Sequence, residues 1–318
     1  MLSRTADNLY WLGRYLERAD TMARLIHVGA RMNMIPDTVD GYRSEWVPIL
    51  RASGTYEAFL VKYGDAVERN VVSHLFFDRD NPSSVATCIA QARENARIVR
   101  SAITEAVWDA LNGAAQELRE IERRPRSEVS IAELTDWTAR QNAQAAGAIQ
   151  TTLLRNDGYD FLHLGRDLER ADNTARFLDV KYYVLLPDAG YVGSGLDNVQ
   201  WHTILRGMQM HRAFHWAYGG AMSASKIVDL LILNPACPRA LVTCIDGVNG
   251  HLERLARQYG RSTVAQTQAR EMLAELSETQ VSDVFETGLH EFLDAFKARI
   301  ARLHDSIGVV YLTGASAA

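Results

Sequence analysis

The chain has 318 residues, 47% hydrophobic and 23% charged, with a formal net charge of −5. That balance supplies a sizeable core and lacks the basic tail or Lys/Arg block that nucleic acid would require. Three cysteines (Cys88, Cys237 and Cys244) without a Cys-x-x-Cys spacing argue against a disulfide scaffold or a zinc ribbon. With no run near bilayer-spanning length, the expectation is a cytoplasmic protein without a membrane partner.

The first predicted helix places Leu9, Leu12, Leu16, Ala19, Ala23 and Ile26 at alternating spacings of three and four, one apolar stripe. Inside it lies a charged phrase, Gly13-Arg14-Tyr15-Leu16-Glu17-Arg18-Ala19-Asp20-Thr21-Met22-Ala23-Arg24. At about 100° per residue, Gly13, Asp20, Arg24, Glu17, Arg14 and Arg18 fill an arc of roughly 160°. The rest of the circumference, with Trp11, Tyr15 and Met22, is apolar or aromatic. A loop around Pro36–Gly41 leads to a helix at Trp46, then two short helices, then a Pro-started helix over 82–100. Helices over 102–122 and 130–155 follow.

The charged phrase then recurs as Gly165-Arg166-Asp167-Leu168-Glu169-Arg170-Ala171-Asp172-Asn173-Thr174-Ala175-Arg176, with nine of twelve positions identical. Its helix repeats the stripe with Phe161, Leu164, Leu168, Ala171, Ala175 and Leu178. The irregular stretch Leu186–Gly195 reads as a linker, since without a preceding strand its glycines make no nucleotide-binding loop. A helix at Trp201 and helices over 238–258 and 280–305 complete the pattern. No strand alternation competes, so the fold class is all-α.

The repetition extends past the phrase. Trp46, Ile49, Leu50 and Arg51 match Trp201, Ile204, Leu205 and Arg206. Ala58-Phe59 with Tyr63-Gly64 matches Ala213-Phe214 with Tyr218-Gly219, Pro82 matches Pro238, and Thr87-Cys88-Ile89 matches Thr243-Cys244-Ile245. The expected architecture is a single helical bundle built from an internally duplicated unit. It comprises repeat one over 1–112, bridging helices over 113–157, repeat two over 158–260 and C-terminal helices over 261–318. A pseudo-twofold relation would bring the two charged helices together.

Exposed pairs at i,i+3 and i,i+4 contribute only about 0.2–0.5 kcal/mol each, too little to demand identical residues. Three readings of Arg14, Glu17, Arg18, Asp20 and Arg24 with Arg166, Glu169, Arg170, Asp172 and Arg176 follow. They form a partly buried ion-pair network that fixes helix docking. Alternatively the arginines line a cleft and grip a carboxylate or phosphate, with Glu17 or Glu169 binding an amine or moving a proton. The third reading is a partner-docking surface.

The paired phrases Leu12-Gly13-Arg14-Tyr15-Leu16-Glu17-Arg18-Ala19-Asp20 and Leu164-Gly165-Arg166-Asp167-Leu168-Glu169-Arg170-Ala171-Asp172 resemble the signature of the bacterial alpha-E family, an all-helical domain named for its Glu-Arg motif. The resemblance runs on through Asn95-Ala96-Arg97-Ile98-Val99-Arg100 and Trp108-Asp109-Ala110-Leu111-Asn112 to Asp197 and Gln200-Trp201. It implies a context: such proteins are encoded beside, or fused to, a circularly permuted ATP-grasp protein, often with a transglutaminase-like cysteine peptidase. ATP-grasp enzymes join a carboxylate to an amine through an acyl-phosphate. The implied role is a component of a system that builds or attaches small peptides, with an ATP-grasp amide ligase as partner. His211 and His215 depart from the family pattern, which has tyrosine-like residues there.

His211 and His215 have a metal-compatible spacing, but His202 falls on the opposite side of the same wheel and Cys237 lies beyond the next helix, so no metal is expected. Paired Glu-x-x-His motifs of a di-iron bundle are absent, the nearest being Asp160-Phe161-Leu162-His163. Cys88 and Cys244 read as small buried hydrophobes. No phosphate loop, cofactor fingerprint or Ser-His-Asp arrangement is legible.

Overall fold

The computed structural model describes residues 1–34, 46–183 and 195–313, and among these no strand occurs. The chain is all-α. The loops expected over 36–41 and 186–194 lie outside the described residues.

The first half runs α1 (Ser3–Met32), α2 (Trp46–Ala52), α3 (Tyr56–Tyr63), α4 (Glu68–Val72) with a π-helical turn at Ser73–Phe77, and α5 (Val85–Ile98). Two long helices follow, α6 (Glu105–Arg123) and α7 (Ile131–Thr152). The same order then recurs: α8 (Asp157–Tyr183), α9 (Gly195–Gly207), α10 (His211–Tyr218), α11 (Ala224–Val228) with a π-helical turn at Asp229–Leu233, and α12 (Leu241–Tyr259). The C-terminal helices are α13 (Val264–Glu278), α14 (Val281–Thr287) and α15 (Leu289–Ile307).

Local chemistry sets these boundaries. Ser84 caps α5 by accepting from the Thr87 N–H at 3.1 Å, so Pro82 lies in the turn before the helix rather than starting it. Ser130 caps α7 in the same way. The single helix expected over 280–305 is two, broken where Gly288 takes φ +93°, a conformation L side chains rarely adopt.

α1 and α8 form the centre. α5 lies on α1 and α12 on α8, while α9 reaches across to α1 and α2 to α8. Their apolar stripes, including Leu9, Leu12, Ile26, Phe161, Leu168 and Leu178, join one continuous buried core. At the crossing the two backbones nearly touch. A Cβ on Gly13 would stand 2.0 Å from the Leu162 carbonyl oxygen, and one on Gly165 would stand 2.1 Å from that of Tyr10. The glycine that opens each charged phrase therefore sets the depth at which the helices interlock, and that depth brings the following Glu-Arg pairs face to face.

Candidate functional site

The two Glu-Arg pairs bond crosswise. Arg18 Nε donates to Glu169 Oε1 at 2.7 Å and its Nη2 to Oε2 at 3.0 Å. Reciprocally, Arg170 Nε donates to Glu17 Oε1 at 3.1 Å and its Nη2 to Oε2 at 2.7 Å. Both are forks that lysine could not make. Both glutamates are almost fully buried.

Each glutamate takes a further donor, and the two donors differ. Glu169 accepts from Arg14 Nε at 2.7 Å. Glu17 accepts from Nη1 of Arg239, in the turn before α12, at 3.0 Å, and Arg239 Nη2 reaches Asp20 at 3.0 Å. Asp20 also accepts from Arg24 Nε at 2.6 Å, and Arg24 Nη1 donates to the Gly207 carbonyl at 3.0 Å. Asp172 is paired with Arg176 alone, at 2.7 Å. Nine of the ten charged residues singled out in the phrases thus gather in two clusters. The tenth, Arg166, donates instead to its neighbour Asp167 at 3.0 Å.

Neighbouring residues explain that divergence. The Arg14 guanidinium lies over the Trp11 ring at 4.9 Å, so one face stacks while its edge serves Glu169. In the second phrase the positions of Trp11 and Tyr15 are taken by His163 and Asp167. The platform is gone, a carboxylate is adjacent, and Arg166 turns to it.

Burial alone would raise the pKa of both glutamates, but charge outweighs it. Arg170 and Arg239 hold Glu17 at about 2, and Arg18 and Arg14 hold Glu169 at about 2. Both are permanently ionised near neutral pH and have little capacity as general bases.

Beside the Glu169 cluster lies a cavity of about 490 Å³, within the range of small-molecule sites. The helix crossing contributes Arg14, Arg18, Glu169, Asp172, Asn173 and Arg176 to its wall. The stretch from α2 to α5 contributes Ser53, Gly54 and Thr55, then Lys62, Asp78, Asp80, Asn81 and Ser83. Lys62 Nζ is held by Asp78 and Asp80 at 2.7 and 2.8 Å. Four cationic and four anionic side chains therefore line the cavity, giving it mixed character with no net sign. Three wall residues have a buried side-chain nitrogen without a hydrogen-bond partner, Nη1 of Arg14, Nδ1 of His74 and Nδ2 of Asn173, and these atoms have essentially no surface open to the cavity. Arg14 is 8% exposed and Asn173 2%.

Sequence reasoning missed Arg239, Lys62, Asp78 and Ser83. Arg239 carried a signal: it is a cation in a turn whose Pro and Thr-Cys-Ile neighbours match the first half, where a serine stands. Lys62 and Asp78 sit on segments with no distinctive pattern.

The histidines need a correction. His202 is on α9 and His211 on α10, two helices separated by a turn in which Gln209 has φ +59°, so one helical wheel does not describe them. Their ring nitrogens lie 3.0 Å apart, and the His215 ring is 4.7 Å from that of His211. Among the described residues no group of three or more His, Cys, Asp or Glu is arranged to hold a metal ion. All three cysteines are buried, and burial pushes the Cys88 thiol up to about 12, far from a reactive thiolate. No described helix is long and apolar enough to cross a membrane.

Comparison with known proteins adds three relatives, each 23% identical over 278 residues: an uncharacterized protein of Mycobacterium bovis and two from strains of Mycobacterium tuberculosis. The matches cover 81% of this chain but 30% of each relative, so the chain spans about a third of the length of the curated proteins it matches. No solved structure matches. The Alpha-E family, described as a predicted alpha-helical domain with a conserved ER motif, matches residues 1–312. With a Glu-Arg dipeptide on each central helix and the two interlocked crosswise, the chain belongs to the Alpha-E family.

Proposed function

We propose that this chain is the substrate-holding component of an ATP-grasp-dependent amide-bond-forming system, and that the Glu169 cavity receives a substrate carboxylate. One observation carries the site. On the cavity wall three arginines, Arg14, Arg18 and Arg176, stand against Glu169 and Asp172, and the side chains of Arg18 and Arg176 stay 18% and 30% exposed although paired. A substrate carboxylate would take the guanidinium donors that Glu169 and Asp172 leave uncommitted. The link to amide formation rests on the family. An ATP-grasp ligase activates a carboxylate as an acyl-phosphate and needs its substrates aligned, and a binding subunit supplies that alignment. The proposed partners are that ligase and a transglutaminase-like peptidase, and the proposed setting is the cytoplasm.

The chain reads as a duplication, repeat one over 1–112 and repeat two over 158–260, related by a pseudo-twofold axis between α1 and α8. The identical phrase positions, the recurring helix order and the crosswise ion pairs support this reading. A stand-alone enzyme using Glu17 or Glu169 as base is disfavoured by their depressed pKa values. An architectural role suits the Glu17 cluster, whose carboxylates are matched internally by Arg170, Arg239 and Arg24.

The test is co-expression with an ATP-grasp ligase of the kind proposed, from the same organism, and an assay of ATP-dependent amide formation by each protein alone and by both. Activity is expected only together, lost in Arg14→Ala with the complex intact. A ligase at full rate alone with no detectable complex overturns the partnership, and an Arg14→Ala variant that breaks the complex makes the cluster a docking surface.

A further inference from the structure

The turn before α12 contains a residue that works as an internal ligand. Pro238 and Thr243 set its register against Pro82 and Thr87, so Arg239 stands where Ser83 stands in the first half. Arg239 sends its guanidinium between Glu17 and Asp20, at 3.0 Å from each. Ser83 is too short to do the same for Asp172, and it lines the cavity instead. Asp20, with two guanidiniums, has a side chain 2% exposed; Asp172, with one, is 15% exposed. The cavity wall thus includes an ionised-type acceptor whose counterpart is occupied by a cation from the protein itself.

Charge then restricts what can fill that place. Around Glu17 and Asp20 stand three arginines, Arg24, Arg170 and Arg239, and around Glu169 and Asp172 stand three also, Arg14, Arg18 and Arg176. At the helix-crossing end of the cavity three arginines thus meet two carboxylates, the balancing acidic excess lying with Lys62, Asp78 and Asp80, so a bare cation there would add to a local positive excess. A ligand that brings its own carboxylate would not, and the partly exposed guanidiniums of Arg18 and Arg176 are there to receive that carboxylate.

We propose that the cavity binds a zwitterion, an amino acid or peptide end whose ammonium or guanidinium rests on Asp172 as Arg239 rests on Asp20, and whose carboxylate faces the guanidiniums of Arg18 and Arg176. This deepens the carboxylate-holding role proposed above and rests on it. In an amide-forming system such a ligand presents both of the groups that the reaction joins.

The experiment is isothermal titration of the full chain with three probes. L-Arginine carries a carboxylate and both kinds of cation, agmatine keeps the guanidinium without the carboxylate, and glutarate has carboxylates without a cation. L-Arginine is expected to bind at least about tenfold more tightly than either. Asp172→Asn is expected to weaken L-arginine about tenfold and leave glutarate unchanged. Ser83→Arg, which supplies the missing guanidinium from the chain, is expected to abolish L-arginine binding while the melting temperature holds or rises. If glutarate matches L-arginine and Asp172→Asn changes neither, the zwitterion proposal falls and the carboxylate role stands. If agmatine matches L-arginine, or no probe binds, both fall. Full L-arginine binding by a folded Ser83→Arg variant also overturns the proposal.

Discussion

Around Glu17, Arg170 and Arg239 close over a carboxylate that is 1% exposed, and Asp20 beside it is held by Arg24 and Arg239. Around Glu169, Arg18 and Arg14 do the pairing, Asp172 keeps Arg176 alone, and a cavity of about 490 Å³ adjoins them. The residue types on the two central helices are nearly the same, so the helices do not determine which cluster is sealed. Residues outside the identical positions do: Arg239 against Ser83 in a turn, Trp11 against His163 and Tyr15 against Asp167 on the helices. An ion-pair cluster becomes structural filler or an open site according to what its neighbours place in the last coordination position.

The largest effects expected are at the sealed cluster. Glu17→Gln leaves Arg170 and Arg239 facing a neutral group in a buried setting and should cost about 3–5 kcal/mol by chemical denaturation. Glu169→Gln should cost less, because Arg18, with a side chain 18% exposed and lining the cavity, can be solvated there. The reverse order would break the comparison. Gly13→Ala and Gly165→Ala come next and should be alike, each costing about 3 kcal/mol as the added methyl forces the crossing apart. A clear inequality between them in thermal melts would show that the crossing is not shared evenly. Arg239→Ala should cost about 1–3 kcal/mol, since it strips Glu17 and Asp20 of one partner each while leaving them Arg170 and Arg24. Ser83→Ala, at the matched place, should stay within about 0.5 kcal/mol. An Arg239→Ala loss as small as that would mean that Arg239 contributes no net stability.

Acidification acts through histidines on α8, α12 and α15. Burial, then the Arg166 charge, hold His163 at about 3, and burial, then the Arg14 charge, hold His304 at about 4. Unfolded, both would titrate near 6.5. Their folded pKa values are depressed, so stability is full above about pH 6.5 and is lost as pH falls toward those values. His251 runs the other way. Burial lowers its pKa, but Asp160 and Asp167 raise it further, so its contribution is present below about 6.5 and fades as the pH rises. His163→Phe should flatten the fall in melting temperature between about pH 6.5 and 4. An unchanged acid limb would show that His163 is not held neutral.

Fold class was legible because α1 and α8 each carry an unbroken apolar stripe and the intervening helices have strong period and polar caps. The break at Gly288 was not, because Leu289, Phe292 and Phe296 keep the helical spacing going beyond it. The crosswise pairing could be anticipated from the identity of the charged positions, but not its partners: Arg14 and Arg166 are the same residue in the same phrase and bond differently. That difference comes from Trp11 and Asp167, which affect the arginines only once the helices are in place. Lys62 and Asp78 reach the cavity through the turns between short helices, where residue pattern carries no signal of spatial neighbours.

The crosswise bonds join residues 151 and 153 positions apart, and that separation has a consequence for a chain made from its N-terminus. Neighbouring helices such as α6 and α7 can pair as soon as both exist, and α1 meets α5 and α7 early, whereas the crosswise partners of Glu17 and Arg18 arrive only with α8. Until Arg170 is delivered, docking α1 anywhere else would bury Glu17 without its partner. The central crossing can therefore close only on a chain long enough to supply the second charged phrase.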